Sequence, residues 1–172
     1  MKYYQYLDLE CQSVCQQLKE FVLRKPEIIK GFWTELDVNM LLSEIQGFQE
    51  VFDPLNIHID KVSLIYTDRT VGAIHTDTSP VAVRINLPVL NCENTETIFY
   101  KSSVPPVRRY LPNGVPYEHI DPIMCTIVDR FCLSGPTAIR VLAPHSTAAA
   151  SEDLPRISCT VRFKENIDYL LD

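Results

Sequence analysis

Residues 72–90 read Gly72-Ala73-Ile74-His75-Thr76-Asp77, then Thr78-Ser79-Pro80, then Val81-Ala82-Val83-Arg84-Ile85-Asn86-Leu87-Pro88-Val89-Leu90. Val83-Arg84-Ile85-Asn86-Leu87 alternates apolar with polar, the pattern of a β-strand that buries one face, and 72–77 is read as a strand before it. Alternation puts His75 and Asp77 on one face of the first strand, and Arg84 and Asn86 together on one face of the second. A carboxylate beside an imidazole on a half-buried strand needs a partner, because an unpaired buried charge is costly.

Working outward, β-branched and aromatic runs punctuated by Gly, Pro and Asn extend from Ile59 toward the C-terminus. They predict strands at 61–66, 72–77, 81–90, 97–101, 126–133, 138–142 and 156–163. Upstream, Leu7, Val14, Leu18, Phe21 and Val22 recur near the helical period until Pro26. A second helix is expected after Asp37 as N-cap, with Met40, Leu41, Ile45, Phe48 and Phe52 on one side as far as Pro54. Helices followed by about seven short strands predict an α+β fold built on a jelly roll or barrel. The chain is expected to form a single domain over residues 1–172, with 1–55 as helical support and 59–165 as the β core. Trp33 is expected to close the helix-to-sheet core. The segment 104–122 holds five of the twelve prolines, so it reads as a lid, a binding segment or a solvated excursion.

Composition narrows the function. The chain has 172 residues, 46% of them hydrophobic, enough to bury a real core. Its 16 Lys and Arg against 22 Asp and Glu give a net charge of −6, which argues against nucleic acid as the main partner. No apolar run approaches the roughly 20 residues of a membrane span, and the first residues lack a secretory signal's apolar stretch. A cytoplasmic location, with no membrane partner, is expected. The six cysteines include no C-x-x-C pair, so reduced, buried thiols are the ordinary reading. Cys11 and Cys15, spaced i, i+4, would need two further ligands to hold zinc.

Four histidines, His58, His75, His119 and His145, limit any histidine-based site. His75 and Asp77 are near enough to share a metal, and His145, at the mouth of the strand ending near Leu142, is the expected third ligand. Two His and one carboxylate leave coordination positions open and suit non-haem Fe(II). The other H-x-D, His58-Ile59-Asp60, precedes the first core strand and sits beside turn residues. His119 competes as third ligand. The bland readings are a hydrogen-bonded core pair for His75 and Asp77, and a loop histidine for His145. Eleven residues beyond His145, Arg156 shares a face with Ser158, Thr160 and Arg162, and an inward Arg with a nearby Ser can clamp a carboxylate. Surface pairing of Arg156 with Glu152 or Asp153 is the alternative. Arg84 and Asn86 are candidates to orient a co-substrate or substrate, Tyr66 and Tyr100 to donate hydroxyls, and Arg108-Arg109 to meet an anion or simply solvent.

The order H-x-D, distal His, then R-x-S, over roughly residues 59–165, resembles the iron(II)- and 2-oxoglutarate-dependent dioxygenases. The resemblance implies a double-stranded β-helix, the cupin-like form of the jelly roll, covered by the N-terminal helices. It implies that His75, Asp77 and His145 hold Fe(II), and that Arg156 with Ser158 binds the distal carboxylate of the co-substrate 2-oxoglutarate. Dioxygen is then the second co-substrate, and the prime substrate is a small molecule or a protein side chain. The stretch 75–88 is also similar to the aspartyl/asparaginyl β-hydroxylase branch, although Asp77 stands where that branch has Gly and Asn86 where it has His. The alternative is a non-catalytic cupin-like jelly roll that binds a metal or ligand.

Overall fold

A computed structural model describes residues 1–112 and 114–172. The C-terminal strand, here β12 (Arg156–Phe163), is buried at every residue except Arg162, so it must be covered on both faces. Alternation divides it. Ile157, Cys159, Val161 and Phe163 enter the main hydrophobic core, while Arg156, Ser158 and Thr160 line a cavity on the opposite side.

In chain order the remaining elements are β1 (Tyr4–Tyr6), α1 (Gln12–Arg24), β2 (Trp33–Leu36), α2 (Val38–Glu44), β3 (Ile59–Thr67), β4 (His75–Asp77) and β5 (Val83–Leu90). They continue with β6 (Glu96–Ser102), β7 (Val107–Tyr110), β8 (Pro116–His119), β9 (Cys125–Cys132), β10 (Thr137–Arg140) and β11 (His145–Ala148). Two six-stranded sheets result, with orders β1-β10-β5-β12-β3-β2 and β7-β8-β4-β11-β6-β9. All recorded strand pairings are antiparallel. Together they form the cupin-like jelly roll, an α+β fold with α1 and α2 packed on the first sheet against β5 and β3.

The core between helices and first sheet follows from the two periodicities. Val14, Leu18, Phe21 and Val22 form the buried stripe of α1, and Val83, Ile85, Leu87 and Val89 the matching face of β5. Asp37 caps α2 as expected, its Oδ1 accepting from the Met40 amide at 2.8 Å. Leu64 is fully buried in this layer, on the strand between β12 and β2. Leu64→Ala is expected to destabilise by about 2–5 kcal/mol, measured by urea unfolding.

Several expectations shift. The first helix begins only at Gln12, because Tyr4–Tyr6 pairs with β10 as an edge strand, where Tyr4 stacks on Phe131 at 4.3 Å. The second helix stops at Glu44, and Gly47, at φ +79°, breaks the periodic run before a short 3-10 turn over Glu50–Leu55. Trp33 opens β2 and lines the inter-sheet cavity instead of the helix-side core. The Pro-rich segment is a β-hairpin, β7 and β8, that extends the second sheet by pairing with β4. Its prolines fit because they fall before β7, in the turn, and at the ends of β8 and of the following segment. Finally, β10 and β11 belong to different sheets, with residues 141–144 crossing between them.

Candidate metal centre

The crossing at 141–144 delivers His145 to the second sheet directly opposite His75. Directly opposed residues in an antiparallel pair project to the same face, and the two imidazole centroids lie 4.5 Å apart. Asp77, two residues after His75, projects beside them, and its amide donates to the Val141 carbonyl at 3.0 Å, fixing β4 to the crossing segment. One ligating atom from each of His75, Asp77 and His145 falls within 4.8 Å of the others. The His75 Nε2 to Asp77 Oδ1 separation is 3.7 Å, too long for a hydrogen bond.

Both imidazoles are oriented the same way. The Nδ1–H of His75 donates to the Ala73 carbonyl at 2.8 Å, and that of His145 to the Ala143 carbonyl at 2.9 Å. A carbonyl only accepts, so each neutral ring carries its proton on Nδ1 and leaves Nε2 with a free lone pair, as a metal-binding histidine does. Burial, reinforced by the neighbouring His145 and opposed by Asp77, pushes the His75 pKa down to about 4. The ring is therefore neutral near pH 7, the state that ligates. Two free imidazole nitrogens and a carboxylate fit a divalent transition metal.

The same cavity, about 490 Å³, is lined by Arg156, Ser158, Thr160 and Asn86 from the first sheet. Arg156 is 2% exposed. Its Nε donates to Thr95 Oγ1 at 2.8 Å and a terminal nitrogen contacts Ser158 Oγ at 3.4 Å. Among the described residues it has no ion pair: Asp153 accepts instead from Asn94, and Glu152 from Ser151. Burial lowers the guanidinium pKa, against the nearby Cys92 and Cys132, yet an arginine stays protonated. The Asn86 Oδ1 and Thr67 Oγ1 are also buried without partners, and in register they stand opposite Thr160 and Arg156. An unpaired buried cation beside the Thr67 hydroxyl, which can donate, fits an anionic occupant, while the Asn86 Oδ1 asks for a donor of its own.

Other sequence candidates lie elsewhere or act indirectly. Arg84 borders the site: its guanidinium carbon sits 5.0 Å from the Trp33 ring centroid and its Nη2 donates to Ser79 at 3.1 Å. His119 stands opposite His75 in register but is outside the three-residue cluster. Tyr66 lines the cavity, whereas the Tyr100 hydroxyl meets Ser146 at 3.0 Å. His58 pairs with Glu165 at 2.8 Å, Asp60 with Arg162, and Arg108 with Glu118 at 2.9 Å. Cys11 and Cys15 place their sulfurs 3.6 Å apart beside the helix-side core. Phe32 and Tyr117, which sequence reading did not single out, stand edge-on to His75 at 6.1 and 6.2 Å. The aromatic pair Phe32-Trp33 after Gly31 was the available signal for the first of them.

No protein-family model matches the chain, and no curated protein does. Solved structures do. The non-heme alpha ketoglutarate dependent epimerase SnoN from nogalamycin biosynthesis is 15% identical, with a TM-score of 0.57 over 99% of this chain and 84% of SnoN. SnoN in complex with Fe3+, alpha ketoglutarate and nogalamycin RO is similar at 13% identity and TM-score 0.52, over 99% and 85% of the two chains. AviO1 from Streptomyces viridochromogenes Tue57 is 8% identical, with a TM-score of 0.54 over 96% of this chain and 91% of AviO1. At these identities the likeness establishes the fold. Among the described residues, no helix is long and apolar enough to cross a membrane.

Proposed function

We propose that the protein is an Fe(II)- and 2-oxoglutarate-dependent oxygenase that hydroxylates a C–H bond of a substrate entering the inter-sheet cavity. The observation that carries this reading is that one cavity holds both the His75, Asp77 and His145 cluster and a buried arginine with no ion pair among the described residues. His75, Asp77 and His145 would hold the iron, with the Nδ1–H bonds to Ala73 and Ala143 fixing ring orientation. When bound, the iron and its co-substrate would supply dioxygen activation, chemistry the protein side chains lack. Arg156 and Ser158 would bind the distal carboxylate of 2-oxoglutarate, as the fork geometry of a guanidinium allows. Thr160 and Asn86 extend that polar wall. Residues 1–172 are taken as one unit, with 1–55 bracing the sheet that carries Arg156. SnoN, of similar fold, forms a complex with Fe3+ and alpha ketoglutarate, which supports the reading by analogy. The β-hydroxylase branch is set aside, because Asp77 supplies a carboxylate where that branch has Gly.

The test is an anaerobic titration of Fe(II)-loaded protein with 2-oxoglutarate. A weak visible charge-transfer band is expected, followed in air by slow co-substrate consumption without prime substrate. Iron binding with no band and no consumption would leave a metal-binding jelly roll as the better description.

A further inference from the structure

We propose that the substrate of this site is an organic anion with a flat, apolar body, held by Phe32 and Tyr117 beside His75 and by Lys30 and Arg69 at the cavity rim. The inference rests on the oxygenase reading above and adds the chemical class of its substrate.

Charge carries the first half of the argument. The chain has a net charge of −6, so its surface as a whole repels anions. The cavity lining departs from that balance, with Lys30, Arg69 and Arg156 against Asp68 and Asp77. Asp77 is committed to the metal, and Arg156 to the co-substrate's distal carboxylate. The metal takes the other end of the co-substrate. Lys30 and Arg69 then face a single carboxylate, Asp68, and among the described residues neither cation has an ion pair. All three are exposed and line the same cavity, where the amide of Tyr66 donates to the Phe32 carbonyl at 2.9 Å and ties the two segments that carry them. One positive charge is left for a ligand.

Shape carries the second half. Phe32 and Tyr117 meet the His75 ring at interplanar angles of 82° and 83°, so the reaction centre is bordered by aromatic surface contributed from both sheets. Trp33, Tyr66 and Tyr110 continue that lining. Aromatic walls favour flat apolar ligands over extended hydrophilic chains, and a volume of about 490 Å³ is within the range of pockets that enclose small organic molecules.

The experiment uses two dyes sharing one ring system, anilinonaphthalene sulfonate and the sulfonate-free phenylnaphthylamine. Each is titrated by fluorescence into anaerobic protein loaded with Fe(II) and 2-oxoglutarate. The sulfonate is expected to bind at least about tenfold more tightly. In a Lys30→Gln/Arg69→Gln double variant that preference should collapse toward unity while the neutral dye's affinity holds. Tyr117→Ala should weaken both dyes together. Equal affinities in the wild type, or a preference that survives the double substitution, would overturn the proposal. The charge-transfer band of wild-type protein, read in the same samples, separates the two ideas. A band without dye selectivity removes the anionic substrate and keeps the oxygenase, whereas selectivity without a band removes the oxygenase.

Discussion

Arg156→Met is expected to make the ligand-free protein more stable and to remove most of its stabilisation by 2-oxoglutarate. The guanidinium is 2% exposed and, among the described residues, has only hydroxyl partners, Thr95 at 2.8 Å and Ser158 at 3.4 Å. Desolvating a charge without an opposite charge to receive it is unfavourable, and an apolar residue of similar length removes that cost. The change orphans little, since Thr95 Oγ1 still donates to the Cys92 carbonyl at 3.1 Å. Whole buried ion pairs exchanged for well-packed apolar residues gain up to about 1–4 kcal/mol, and a gain on that scale is expected here. For a chain of this size each kcal/mol moves the midpoint by about 2–4 °C.

With co-substrate the gap narrows, and the order reverses where the apolar gain is below about 2.7 kcal/mol. Wild type at a hundredfold excess over its dissociation constant gains about 2.7 kcal/mol. The variant lacks the charged fork and should need about 100-fold more 2-oxoglutarate, so wild type gains on it by up to about 2.7 kcal/mol as ligand is added. Arg156→Lys, which keeps the charge but loses the fork, should fall between them. If Arg156→Met melts lower without ligand and still responds normally to 2-oxoglutarate, the arginine is a structural residue and the carboxylate reading fails.

That site was partly legible in sequence because a strand's period is two. H-x-D and R-x-S each place two polar side chains on one face of a strand, and the structure shows both pairs facing one cavity. What alternation does not carry is pairing across distance. His145 reads as the residue after a strand, yet it begins β11 and lies opposite His75, because the chain changes sheets at 141–144. The short edge strands β1 and β2 are three and four residues long, below the length at which periodicity separates strand from loop. The β7–β8 hairpin was hidden by its prolines, which an edge tolerates and a central strand does not. Tyr117 was hidden with it.

Alanine at His75, Asp77 or His145 is expected to separate metal binding from folding. In a structural core pair, His75 and Asp77 would stabilise each other, and removing His75 would leave an uncompensated carboxylate at a cost of several kcal/mol. The 3.7 Å separation of His75 Nε2 and Asp77 Oδ1 points the other way, since the two groups are arranged around a shared position and are not bonded to each other. Each imidazole instead spends its Nδ1–H on a carbonyl of its own chain segment, and His75→Ala leaves that carbonyl as its only orphan. The ligand-free variants should therefore melt within a few degrees of wild type. Wild type should gain thermal stability on anaerobic addition of Fe(II), by the mass action of a ligand that binds only the folded chain. The three variants should lose that gain, and with it the 2-oxoglutarate band. Asp77→Asn, nearly isosteric but neutral, should lose the metal response as well, because an amide is a far weaker ligand than a carboxylate for the same ion. Should His75→Ala instead melt far below wild type while keeping its response to Fe(II), the cluster would be a packing feature, and the buried arginine would have to be explained without a metal beside it.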